Sequence, residues 1–426
     1  MTIHDFTVLG AGSIGIGTAM HLQQRGFKVQ LVDRSLPASA TSYGNAGVVN
    51  NCSFMPVNNP ALFKKLPRLL LNNKPELRYN LRHVLGNPSW CVNFIRSSTT
   101  ENTLKTANAL AALVSGALDE HKALMQRVGN MSRLSESGWL KIYRQHTDSF
   151  FSALEHRLFE QYNIKIDLLD ADDIAQLEPA LKPIFKSGYI LKDSAAVNNP
   201  GALLKEYVES FIASGGEFTQ TGIRTITRTD NAANSGVNFQ LKTDSSNSEI
   251  NCRKLVICAG PWSGTLLEHL GFRVLLQVER GYHQHFNLSG GDNLHRPVHD
   301  VNAGYILAPM ELGVRLTTGV ELNHRDAPEQ HAQLNQVIPR AREAVSLADP
   351  TPDPVWMGCR PTFPDSRPVI DRVPGEENLW LACGHQHIGL MSGPVTGKLL
   401  VQSIVGETPD IDLQPFNARR WIKRVS

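Results

Sequence analysis

Thr7-Val8-Leu9-Gly10-Ala11-Gly12-Ser13-Ile14-Gly15 frames this chain, because a short apolar run passes without a gap into the spacing G-x-G-x-x-G. Each glycine answers a separate steric demand. Gly10 allows the tight turn out of a strand, Gly12 lets bare backbone approach a pyrophosphate, and Gly15 lets the following helix close on the strand. Phosphates then meet the amides of a helix N-terminus. Ile16 to Gly26 carries helix formers and stops at a glycine. Phe27-Lys28-Val29-Gln30-Leu31-Val32 reads as a second strand ending on Asp33, whose carboxylate can take ribose hydroxyls. A glycine triplet also occurs in plain turns. Here the strand before it, the helix after it and an acid 18 residues past Gly15 favour a dinucleotide site.

The 426 residues suffice for two or three domains and a substantial core. At 41% hydrophobic, 19% charged and a formal net charge of +2, the composition suggests neither disorder nor a nucleic-acid-binding surface. Cysteines 52, 91, 252, 258, 359 and 383 show no C-x-x-C spacing, which fits a reduced, cytoplasmic protein. A cleavable signal peptide would consume the glycine motif, and no run of 18 apolar residues stands in the sequence, so no membrane span is expected.

After Asp33 and Arg34 the loop Ser35 to Gly47 is built of small and hydroxylated residues. By composition it is either an ordinary surface loop or a segment meant to approach a ligand closely. Its Thr41-Ser42-Tyr43-Gly44-Asn45-Ala46-Gly47 resembles a segment of the FAD-dependent D-amino-acid oxidase superfamily, Ser/Thr-Ser-x-x-Asn-Ala-Gly, that runs beneath the flavin. The resemblance implies FAD contacts at Thr41, Ser42, Asn45, Ala46 and Gly47, beside those of Gly10, Gly12, Ser13, Ile14, Gly15, Asp33 and Arg34.

Pro56 to Ser98 interleaves basic and apolar residues, as in Phe63-Lys64-Lys65-Leu66-Pro67-Arg68-Leu69-Leu70-Leu71. Two readings stand open: helices covering a substrate domain, or an interfacial element on an anionic membrane surface. Thr103 to Arg127 has apolar residues at helical spacing and predicts one long amphipathic helix. Strands are expected at Gly138 to Tyr143, Lys186 to Leu191, Phe218 to Ile226, Phe239 to Thr243 and Ile250 to Cys258. The last ends in Cys258-Ala259-Gly260-Pro261-Trp262, which is either a plain strand-to-helix turn or, by resemblance, a second flavin contact through Ala259, Gly260 and Trp262. Val274 to Asn287, Tyr305 to Pro309 and Val314 to Val320 read as antiparallel strands.

Trp356 to Val405 contains Gly358-Cys359-Arg360-Pro361, Pro364-Asp365-Ser366-Arg367-Pro368-Val369-Ile370 and Gly384-His385-Gln386-His387-Ile388-Gly389-Leu390. These blocks resemble the superfamily's closing signature, although its usual Gly-His-Gly departs here to Gly384-His385-Gln386. The resemblance implies cofactor contacts at Gly384, His385, Gly389 and Leu390, and a helix from Ser392 to Val405 whose N-terminus favours negative charge on the reduced flavin. It implies that Arg360 holds a substrate carboxylate, for which a planar two-pronged cation is suited. Tyr282, Tyr305 and His387 are further candidates. Gly358 stands where related sarcosine oxidases tether their flavin through cysteine, so FAD is expected to be non-covalent. The pairs His283/His285 and His385/His387 lack companion ligands, and no metal is expected.

The expected fold is therefore α/β: a Rossmann-like, glutathione-reductase-type FAD domain from 1–55, 140–260 and 350–426. An α+β substrate domain on an antiparallel sheet is inserted as 56–139 and 261–349. The chain most resembles the bacterial D-amino-acid dehydrogenases of small-subunit type, and Glu279-Arg280-Gly281-Tyr282-His283 resembles their D-hydroxyproline dehydrogenase branch. That resemblance implies hydride transfer from Cα of a D-amino or cyclic imino acid to the flavin N5, imine hydrolysis to a 2-oxo acid, and electrons passed to a quinone or respiratory carrier. Such an enzyme works in the cytoplasm or peripherally on the inner face of the plasma membrane. The alternatives are a glycine or sarcosine oxidase using O2, and a flavoprotein nucleic-acid-modifying module supported only by the basic Lys64 to Arg82 stretch.

Overall fold

The computed structural model describes residues 3–147, 149–229, 236–245, 248–290 and 293–425. The Phe6–Leu9 strand is buried throughout, as are the apolar positions of Val29–Asp33, and the two pair in parallel. Such continuous apolar strands suit a parallel sheet covered on both faces. Lys254–Ile257 joins Phe6–Leu9 on its other side, Leu379–Cys383 follows, and Glu217–Gln220 closes the opposite edge, all parallel. Val369–Arg372 adds an antiparallel sixth strand. A three-stranded antiparallel meander, Ile223–Arg228, Phe239–Thr243 and Glu249–Cys252, is formed beside this sheet.

The second layer is an 11-stranded, mostly antiparallel sheet centred on the long strand Gln277–Leu288. Trp356–Thr362 runs antiparallel against it, with Glu279 opposite Arg360, Gly281 opposite Gly358 and His283 opposite Trp356. The same sheet takes in Trp139–Tyr143, Ile166–Asp170 and Ser187–Leu191. The expected boundaries assigned these three, and Trp356–Thr362, to the cofactor portion. Hydrogen bonding puts them in the large sheet instead, because Trp139–Tyr143 finds its partner in Val298–Asp300, more than 150 residues away. A pairing of that range leaves no local trace in sequence.

Other differences are local. The helix expected over Thr103 to Arg127 is two, Thr100–Ser115 and Ala117–Val128, interrupted at Gly116. Phe218 to Ile226 and Ile250 to Cys258 each divide into two strands that serve different sheets. The closing helix is Gly389–Val405 and starts three residues before Ser392.

The core beside the parallel sheet is built on the contact between Ser13–Gln24 and Gly389–Val405. A Cβ on Gly17 would lie 2.8 Å from the Gly393 carbonyl oxygen, and one on Gly397 would lie 2.4 Å from the Gly17 carbonyl carbon. Small residues at matching turns thus let two backbones touch. Although Gln386–Val405 is long and apolar enough to cross a membrane, most of it is buried in this core.

Candidate active site

A cavity of about 540 Å³ lies between the two layers, bounded by the glycine turn, the 34–46 loop, the 258–262 turn and the 384–391 segment. Gly10 adopts φ +109°, and a Cβ there would lie 2.4 Å from the Cys258 carbonyl oxygen, so the two strand-end turns touch only because this side chain is missing. Gly15 does not reach the cavity. Its Cβ would lie 1.8 Å from the Gly10 carbonyl oxygen, the helix-on-strand approach expected of the third glycine. Neither Ser13–Gln24 nor Gly389–Val405 carries a side-chain cap, and both N-termini face the cavity through Ser13, Ile14, Gly389 and Leu390. Ser13 fixes their relation: its hydroxyl donates to the Leu390 carbonyl at 3.0 Å, while its amide donates to Ser42 Oγ at 3.1 Å.

At one end of the cavity the Asp33 carboxylate accepts from the Ala11 amide at 2.7 Å and the Ser35 amide at 2.9 Å. It thereby holds the glycine turn and the loop after it together, with lone pairs left for a ligand. The Arg34 guanidinium lies 3.6 Å from the centre of the Trp262 ring, and Ala259, Gly260, Trp262, Gly222 and Arg224 complete this end. Sequence reasoning missed Gly222 and Arg224, which follow an unremarkable strand.

The loop from Thr41 is bound from below. Thr41 donates to the Cys359 carbonyl at 2.7 Å, and Asn45 Nδ2 donates to the His387 carbonyl at 3.1 Å. Buried Arg315 donates to the carbonyls of Tyr43 and Asn45 and, at 3.1 Å, to His285 Nε2. Burial, and then the Arg315 cation, push His285 down to about 4, consistent with a neutral ring that can accept this bond. Ala46 lines the cavity, but Gly47 does not: at φ +74° its bare Cα packs on the Val197 carbonyl, so its role is to turn the chain.

At the other end Arg360 and Gly358 belong to the wall facing the cavity, as do their partners Glu279 and Gly281. A Cβ on Gly281 would lie 2.4 Å from Arg360 Nη2, and one on Gly358 would lie 2.0 Å from the Trp356 ring. Arg360 and Trp356 therefore fold inward over paired glycines, and Trp356 also covers Gly44 and stacks on His283 at 4.9 Å. Among the described residues, the Arg360 guanidinium has one hydrogen bond, 3.4 Å to the Gly319 carbonyl. Burial lowers its pKa against the opposing pull of Glu279, and burial raises that of Glu279.

Strand alternation sends the neighbouring side chains the other way. Cys359 turns from the cavity toward the Arg325 carbonyl and Met357, and the position of the tethering cysteine is a glycine whose side-chain space the Trp356 indole fills. Tyr282 is a correction: its hydroxyl donates to Glu321 at 2.5 Å and accepts from Arg280 and the Gln330 amide, so no capacity remains for substrate. Tyr305 is a second: it lies in the core of the large sheet, its hydroxyl 3.4 Å from the Arg340 carbonyl, outside the cavity wall. Gly384, at φ +87°, lets the chain pass against Phe363. His385 packs inward, its Nε2 3.1 Å from Thr396 Oγ1, and burial pushes it down to about 3. His387 opens onto the cavity with its side chain exposed there, and desolvation by the surrounding protein, followed by the Arg360 and Lys141 charges, pushes it down to about 4. Glu279, Thr317, Thr318, Gly319 and Trp356 also line this end and were missed. Only Glu279 carried a sequence signal, as a member of the Glu-Arg-Gly-Tyr-His block.

The cradle thus fits a dinucleotide: an acid at one end, bare backbone and two uncapped helix starts at the middle, and an enclosed wall with one cation at the other. Comparison with known proteins agrees. The family described as FAD dependent oxidoreductase matches residues 5–403. A D-amino-acid oxidase of Bradyrhizobium diazoefficiens is 27% identical over 97% of this chain and 98% of its own length. A D-amino acid dehydrogenase 2 of Mesorhizobium japonicum is 25% identical over 96% of this chain and 98% of its own. The crystal structure of glycine oxidase from Geobacillus kaustophilus superposes with a TM-score of 0.70 at 18% identity, covering 98% of each chain.

Proposed function

Because this chain belongs to the FAD-dependent oxidoreductase family, we propose that it oxidises a D-amino or cyclic imino acid, D-proline-like compounds among them, to an imine and then a 2-oxo acid. The observation that carries this reading is Arg360, an enclosed cation lying over Gly281 with a single long hydrogen bond among the described residues, at the wall where the cavity ends. A guanidinium so placed offers two parallel donors to a carboxylate. FAD, when bound, supplies the ring that accepts the hydride from Cα. The protein's own share is orientation: Arg360 fixes the carboxylate, the paired glycines leave room for the Arg360 and Trp356 side chains to lie over them, and Trp356 and Ile306 present apolar surface. His387, neutral near pH 7, adds a polar atom without adding charge.

The names of the two relatives support a D-configured substrate, and the dehydrogenase among them supports an acceptor other than O2, such as a quinone or respiratory carrier. The surface supports peripheral contact with the membrane that holds such a carrier. Of the 15 large hydrophobic side chains exposed among the described residues, nine lie between Val57 and Ile95. The exposed cations Lys64, Arg68, Arg82 and Arg96 are interleaved with them.

Anaerobic bleaching of the bound flavin by a panel of D-amino acids, D-proline analogues, glycine and sarcosine tests the reading without assuming an acceptor. Bleaching by D-amino or imino acids is the expected outcome. Bleaching by glycine and sarcosine alone would replace this substrate class with that of an amine oxidase.

A further inference from the structure

The cavity wall holds a second charge that the reading above leaves without a task. Glu279 is directly opposite Arg360 across the strand pair, so both side chains leave the sheet on the same face. Both line the cavity, and Glu279 is only 4% exposed. Among the described residues no ion pair closes between them, and the guanidinium's single hydrogen bond goes to Gly319. Arg280, next to Glu279 in the chain, is on the opposite face and is matched there by Glu321 at 3.2 Å. An anion and a cation therefore face one enclosed volume without neutralising each other in a bridge, an arrangement complementary to a zwitterion.

We propose that Glu279 receives the cationic nitrogen of the substrate while Arg360 holds its carboxylate, making Glu279 a determinant of specificity for amino and imino acids over plain carboxylates. The proposal rests on the Arg360 reading. Its chemical consequence is a proton transfer: an N–H bond of the ammonium breaks, a Glu279 O–H bond forms, and the nitrogen keeps the electron pair as a neutral amine able to expel hydride from Cα. Burial that raises the Glu279 carboxyl above its ordinary value makes it a better acceptor for that proton.

The test uses FAD-loaded protein and two ligands that cannot be oxidised, read by perturbation of the flavin spectrum rather than by turnover. One is 2-methyl-D-proline, a zwitterion with no hydrogen on Cα; the other is cyclopentanecarboxylate, of similar shape but without nitrogen. The wild-type protein is expected to prefer the zwitterion by about ten-fold or more. Glu279→Gln should lower zwitterion affinity by a similar factor and leave the carboxylate within about two-fold. An Arg360→Ala variant should weaken both ligands. Absence of a wild-type preference overturns the proposal whatever the variants do, and equal weakening of both ligands by Glu279→Gln reduces Glu279 to a support for Arg360. If Arg360→Ala binds both as well as wild type does, the carboxylate anchor itself is lost, and the Glu279 proposal falls with it.

Discussion

Arg360 and Gly281 can be separated experimentally, since one supplies the charge and the other the space for it. Arg360→Lys keeps the charge but loses the planar fork, so apparent KM should rise and flavin reduction should slow; Arg360→Ala should lower kcat/KM about 30-fold to several thousand-fold at normal FAD content. Near wild-type reduction kinetics in the alanine variant would remove the anchor. Gly281→Ala puts a methyl 2.4 Å from Nη2, the far end of a flexible side chain, so the guanidinium should yield rather than the sheet. We expect a loss in kcat/KM on the order of ten- to a hundred-fold with little change in Tm, and a variant as active as wild type would show that the placement over Gly281 is immaterial. Asp33 works differently, because its carboxylate already clamps two backbone amides. Asp33→Ala should weaken FAD retention, measured as flavin released on gel filtration; unchanged retention would take Asp33 out of the site.

At the scale of elements, the helices Ser13–Gln24 and Gly389–Val405 deliver their N-termini to one cavity because Gly17, Gly393 and Gly397 let their backbones meet. A side chain at Gly397 would press on backbone, which cannot swing aside as a guanidinium can. Gly397→Val is thus predicted to cost about 1–3 kcal/mol or more by overpacking, seen as a lower Tm, and to loosen FAD by parting the two helix starts. Unaltered thermal stability together with unaltered FAD affinity would contradict this account. The strand pair Gln277–Leu288 and Trp356–Thr362 shows a similar division of labour: one face carries Arg360, Glu279 and Trp356, and the other ties Arg280, Tyr282 and Glu321 into a buried network. That network explains why a tyrosine one residue from Gly281 is structural.

For the whole molecule, the segment 57–97 joins surface to site. Its exposed apolar side chains face outward, while Trp90 beneath them donates to the Thr362 carbonyl, two residues past Arg360. Apolar and basic side chains together suit an anionic bilayer, to which each nearby cation contributes about 1 kcal/mol. The protein should co-sediment with vesicles containing anionic lipid and be released by raised salt, and Leu70→Ser with Leu71→Ser should lower that binding while leaving bleaching by substrate intact. Equal recovery with neutral and anionic vesicles, or no recovery with either, would exclude this surface as the membrane contact.

The nucleotide-binding half was legible in the sequence because its determinants are local: three glycines, two apolar strands and an acid within 33 residues specify a turn, a helix start and a strand end by their own sterics. That Arg360 stands in the cavity wall could be expected only through the blocks around it, and the directions of its neighbours could not. Whether the Tyr282 or the Glu279 side chain shares a face with Arg360 depends on the register of Gln277–Leu288 against a strand some 80 residues later, and a one-residue slip would exchange the faces. The same non-local pairing drew Trp139–Tyr143 and Ser187–Leu191 into the large sheet. Sequence alone determined the turn that can cradle a dinucleotide. Tertiary pairing, which sets side-chain direction only when distant strands meet, decided which charges the ligand encounters.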